Sequence, residues 1–124
     1  MTKSKKLVSI VDDDESVRES LPDLLGQLGF DTRTFSSGDQ FLASGLIEDT
    51  SCLLLDIAMP DMSGPELQRE LRRRGSAIPI VFITASRDMT VRARLVADGA
   101  AEVLFKPFSE AALLDALNLA LGMR

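Results

Sequence analysis

Aspartates, a threonine and a lysine stand where four apolar runs end. Leu7-Val8-Ser9-Ile10-Val11 runs into Asp12-Asp13, Cys52-Leu53-Leu54-Leu55 into Asp56, Ile80-Val81-Phe82-Ile83 into Thr84, and Val103-Leu104-Phe105 into Lys106. Crowded carboxylates repel one another, and in water-poor surroundings some hold a proton unless a cation joins them. Carboxylates, a carbonyl and waters suit Mg²⁺, which binds alongside phosphate oxygens. With no histidine and one cysteine in the chain, soft or imidazole ligand sets for zinc or copper are disfavoured. A carboxylate can attack phosphorus and form an aspartyl-phosphate. Asp56 ends the central run, so it is expected deepest in the crevice and in that role. Asp13 and Asp56 would hold Mg²⁺ on one side of the phosphoryl group. Lys106 would neutralise another side and Thr84 would donate a hydrogen bond, since such transfer depends on positioning and charge neutralisation.

These groups can converge only if the runs are neighbours. Short apolar runs bounded by turn residues read as parallel strands buried on both faces. Ligands of open α/β sheets bind outside the carboxyl ends of such strands. Between the runs, Val17, Leu21, Leu24, Leu25 and Leu28 form a helical stripe, and shorter stripes occur at Phe41-Leu42, Leu67/Leu71, Leu95-Val96 and Leu113 to Leu121. Gly29, Gly45, Gly75, Gly99 and Gly122 stand where helices should end. Ser37 to Gln40 and Ser63 to Glu66 have capping-box spacing, the second with Pro65 in the first turn. Pro22 inside the first stripe predicts one kinked helix, not two. A fifth strand, Phe30 to Phe35, completes a β-α unit repeated five times, hence right-handed crossovers and a parallel sheet sandwiched between helix layers.

A single domain over residues 1–124 fits this length, with 45% hydrophobic and 27% charged residues. A net charge of -5 argues against direct nucleic-acid binding by these residues. Cys52 opens an apolar run and reads as a core residue. No stretch reaches membrane-spanning length, and Met1 to Lys6 lacks the apolar segment of a secretory leader, so a cytoplasmic protein is expected. Arg72-Arg73-Arg74 reads as solvated charge offsetting a helix dipole, not as a phosphate patch.

Val11-Asp12-Asp13, Asp56 to Gly64, Ile83-Thr84-Ala85 and Phe105-Lys106-Pro107-Phe108 together resemble the receiver domain of bacterial two-component response regulators, over essentially the whole chain. Ile10 to Arg18 and Met62 to Leu67 are similar to the FixJ-like branch. The resemblance implies a flavodoxin-like (βα)5 three-layer sandwich with strand order 2-1-3-4-5. It implies a phosphorylation-dependent switch, not a turnover enzyme, that accepts a phosphoryl group on Asp56 from a sensor histidine kinase or a small donor. Asp13 would bind Mg²⁺ directly, Asp12 largely through water, and the Ala58 carbonyl would complete the set. Lys106 would pair with phosphoryl oxygens, with a cis peptide before Pro107, and Thr84 would move toward the phosphate. FixJ-like members usually carry a carboxyl-terminal DNA-binding domain, and phosphorylation-dependent homodimers fit the same reading. Gly122-Met123-Arg124 closely follows the last stripe, as in either a stand-alone regulator or part of a longer one.

One family feature is missing. Three residues before Lys106 the family usually has an aromatic switch residue, and here it is Val103. The short β-branched side chain has little reach, so a weaker readout, or one through helix 4, is expected. Phe105 is assigned to the other strand face and is not expected to replace the ring. Ala58 and Ser86 flank the family's hydrolytic water path and offer neither acid nor amide, which predicts slow to moderate loss of phosphate. Three alternatives carry less. A haloacid dehalogenase-type phosphatase would need a second Asp where Ala58 stands, and a phosphate-independent pseudo-receiver would not need the full acidic set. A nucleotide site lacks a glycine-rich loop.

Overall fold

A computed structural model describes residues 5–122. Met1 to Ser4, most of the segment read for a leader, lie outside the described residues, as do Met123 and Arg124. The strands are β1 Leu7–Val11, β2 Asp31–Phe35, β3 Thr50–Asp56, β4 Ile80–Thr84 and β5 Glu102–Phe105. The helices are α1 Glu15–Gln27, α2 Gly38–Ala43, α3 Gly64–Arg73, α4 Met89–Ala97 and α5 Glu110–Leu121. All strand pairs are parallel, in the order β2-β1-β3-β4-β5, as expected.

Strand side chains alternate between faces, and two cores result. Val8, Ile10, Leu54, Val81 and Leu104 pack with Leu25 of α1 and Leu113 and Leu117 of α5. Val11, Leu53, Leu55 and Phe82 pack with Phe41, Leu67, Leu71 and Leu95 from α2, α3 and α4. Cys52 is fully buried in the first core, and burial pushes its thiol up to about 12. Covered on both faces, β3 and β4 are buried along almost their whole length, whereas the edge strand β2 is largely exposed.

Each helix begins on a side-chain cap, from Asp14, Ser37, Ser63, Asp88 and Ser109 in turn. The five glycines read as helix ends all have positive φ, from 67° to 104°. Ser63 and Glu66 form a complete capping box. The Ser37–Gln40 box is only half made, with the Gln40 N–H donating to Ser37 Oγ at 3.2 Å. Gln40 accepts from the Ser36 N–H, because Ser37 enters at φ -154°, against -68° for Ser63, and turns its own N–H away. α1 runs unbroken through Pro22. Of the arginine triplet, Arg73 and Arg74 pair with Glu70 at 2.6 and 2.7 Å. Arg72 is not simply solvated: it donates to the Asp98 carbonyl and so ties α3 to the end of α4.

Candidate functional site

Register brings the strand tips together. Val11 lies opposite Leu55, Asp56 opposite Ile83, and Thr84 opposite Phe105. Asp12, Asp56, Thr84 and Lys106 therefore emerge at one edge of four adjacent strands. Carboxylate oxygens of Asp12, Asp13 and Asp56 lie within 4.8 Å of one another.

Asp12 is the deepest of the three. It is fully buried, whereas Asp56 keeps 7% exposure and Asp13 is exposed, which corrects the expectation that Asp56 lies deepest. The reason is that Asp12 is held from all sides. Its N–H donates to the Phe35 carbonyl at 3.1 Å, and its own carbonyl accepts from Arg18 at 2.8 Å. Oδ1 accepts from the Asp14 N–H at 2.9 Å and Oδ2 from Lys106 Nζ at 3.1 Å. Lys106 thus rests on Asp12. Nothing in the sequence specified which aspartate would receive the ammonium.

Burial first, and then the Asp12 charge, push the Asp56 carboxyl up to about 7, against opposing pulls from Lys106 and the Ala58 N–H. That N–H reaches Asp56 Oδ1 at 3.4 Å. The donor set is all oxygen, its negative charge is only partly offset by Lys106, and burial makes the excess unfavourable. Such residues fit a hard divalent cation.

The connection after β3 is folded tightly back. Ile57 donates to the Ile83 carbonyl and Gly64 to that of Ile57, at 3.1 and 2.9 Å. A Cβ on Gly64 would collide with the Asp56 carbonyl and come within 2.9 Å of Phe82 Cε1. Gly64 is a positioning residue that capping analysis alone did not reveal; a glycine directly after an N-cap serine was the available signal. Thr84 Oγ1 accepts from the Ser86 N–H at 3.0 Å, and the Lys106 N–H donates to the Thr84 carbonyl at 2.7 Å. The Lys106–Pro107 peptide is cis. Beside Lys106, a groove of about 550 Å³ opens between α1 (Val17, Leu21 and Leu24) and Pro107-Phe108.

Val103 is buried opposite Phe82 in the core shared with α4. Leu104 faces the other core, so a period of two returns Phe105 to the Val103 face. The assignment of Phe105 to the opposite face is therefore wrong.

Comparison with known proteins agrees with this arrangement. The family profile described as response regulator receiver domain matches residues 8–118. The transcriptional regulatory protein TdiR of Thauera aromatica is 40% identical over 122 residues, 98% of this chain and 54% of that protein. FixJ of Azorhizobium caulinodans is 37% identical over 115 residues, 93% of this chain and 54% of that protein. The chain thus spans about half the length of the curated relatives it matches. The structure of the response regulator StyR superposes with a TM-score of 0.87 at 48% identity, over 96% of this chain and 60% of that one. Among the described residues no helix is long and apolar enough to cross a membrane. A shared sequence profile, a shared strand order and relatives at this identity lead to one conclusion: the chain belongs to the response regulator receiver domain family.

Proposed function

We propose that residues 1–124 form one receiver domain that works as a phosphorylation-dependent switch, with Asp56 as phosphoacceptor. The observation that carries this reading is the gathering of three carboxylates within 4.8 Å at strand tips that also present Thr84 and Lys106. An Asp56 carboxylate oxygen attacks phosphorus. An O–P bond forms as the bond to the donor's histidine nitrogen, or to the oxygen of a small acyl phosphate, breaks, and the leaving atom takes the electron pair.

Asp13, Asp56 and the Ala58 carbonyl would hold Mg²⁺, with Asp12 acting through water. The bound ion would supply positive charge that keeps Asp56 ionised and offsets the incoming phosphoryl oxygens. Lys106 rests on Asp12 within reach of the same centre, so its ammonium serves the resting carboxylates and then the transferred group. Thr84 has a hydroxyl proton to give to a phosphoryl oxygen. The groove beside Lys106 joins an apolar floor to the acidic centre, which suits a helix of a sensor histidine kinase. Relatives about twice as long are named as transcriptional regulators, which supports a DNA-binding output domain outside these residues. The finer roles include a cytoplasmic setting and altered partner binding, homodimers included.

The test is incubation with acetyl phosphate and Mg²⁺, read by intact mass. One phosphoryl adduct, absent in Asp56→Asn, is expected. No adduct would favour the phosphate-independent module.

A further inference from the structure

With valine at position 103, the aromatic ring of β5 is Phe105. It stands at the strand end, opposite Thr84 in register and next to Lys106 in sequence. The guanidinium of Arg87 lies over this ring, 5.9 Å from its centroid. Arg87 belongs to the connection that leaves Thr84, and its neighbour Ser86 donates a backbone N–H to the Thr84 hydroxyl oxygen at 3.0 Å. Both halves of this one contact are thus linked to the acidic centre. Arg87 is tied to Thr84 through Ser86, and Phe105 directly to Lys106.

We propose that the Arg87–Phe105 contact is a clasp that reads Asp56, closed over the free carboxylate and open once Asp56 carries a phosphoryl group. This rests on the reading of Asp56 as phosphoacceptor. Among the described hydrogen bonds the Thr84 hydroxyl oxygen only accepts. A phosphoryl oxygen on Asp56 gives its proton an acceptor. Because β4 lies between β3 and β5, a hydroxyl drawn toward Asp56 moves away from β5. Ser86 hangs on that oxygen, so Arg87 is withdrawn from the ring. Arg87 is exposed and the Phe105 ring only half-buried, and a solvated cation over such a ring is held weakly enough to be released. At the other end of β5, Glu102 pairs with Arg92 of α4 at 2.7 Å, which confines the release to the Thr84 end. The clasp occupies the strand face on which Val103 is too short to act.

The experiment uses the chain of residues 1–124 with Mg²⁺ and beryllofluoride as the phosphoryl mimic, followed by the side-chain NMR signals of Arg87. Ring-current-shifted Arg87 signals are expected in the free protein, moving to solvent-exposed values with the mimic and unmoved in Asp56→Asn. Acetyl phosphate and intact mass are run in parallel. An adduct on Asp56 with Arg87 signals that never move overturns the clasp and leaves the phosphoacceptor reading standing. No adduct overturns that reading, and the clasp with it. Arg87→Ala and Phe105→Leu should each speed phosphorylation by acetyl phosphate about two- to five-fold, by removing a contact of the resting state. The double variant should gain no more than either single one, and fully additive gains would overturn the clasp.

Discussion

The Lys106 ammonium donates to Oδ2 of the fully buried Asp12 at 3.1 Å. The pair closes a contact between residues 94 apart in sequence and joins the first strand tip to the last. Removing the lysine leaves a buried carboxylate without its cation. Lys106→Ala should destabilise the ion-free protein by about 1–3 kcal/mol in urea unfolding. The same change deletes a positive charge beside the carboxylates, so Mg²⁺ should bind several-fold more tightly while phosphorylation slows. Weaker Mg²⁺ binding by this variant would contradict the arrangement.

Asp56 sets a pH dependence whose sign follows from its raised carboxyl, about 7 in the folded chain. An unfolded aspartate releases its proton near pH 4. Between those values the folded chain binds the extra proton, so the group's contribution to stability is full at low pH and is lost as pH rises toward 7. Asp56→Asn removes that loss. Without divalent ions, the variant should match the parent near pH 4 and exceed it at pH 8, by on the order of 2 kcal/mol. Equal stability of both proteins across the range would refute the burial of Asp56 as described.

Gly64 should tolerate no side chain. Its missing Cβ makes room for the Asp56 carbonyl and the Phe82 ring. Overpacking of this kind typically destabilises by about 1–3 kcal/mol. Gly64→Ala is expected in that range by thermal unfolding, with weakened Mg²⁺ binding because the displaced backbone is that of Asp56. A variant as stable as the parent with unchanged Mg²⁺ affinity would count against this packing.

The phosphorylated state should persist for minutes or longer. Ala58 carries no polar side chain, and Ser86 offers a short hydroxyl with neither acid nor amide. Neither is set to orient an attacking water. Ala58→Asn should shorten the lifetime several-fold in an intact-mass time course. Loss from the parent within seconds would show that another group activates water.

The sequence by itself determined the alternation of strands and helices, the ends of the helices and the residues at the strand tips. These are local matters: hydrophobic period, serine and aspartate caps, and glycines whose φ no other residue adopts readily. Gly29, Gly75 and Gly99 mark helix ends as plainly in the sequence as in space. Only the tertiary structure decided that Asp12 is deeper than Asp56, that Lys106 rests on Asp12, that Arg72 reaches α4, and that Phe105 shares its face with Val103 beneath Arg87. Each depends on which surfaces press together after distant segments meet. Side-chain reach, burial and the pairing of charges across 94 residues have no signature in local spacing.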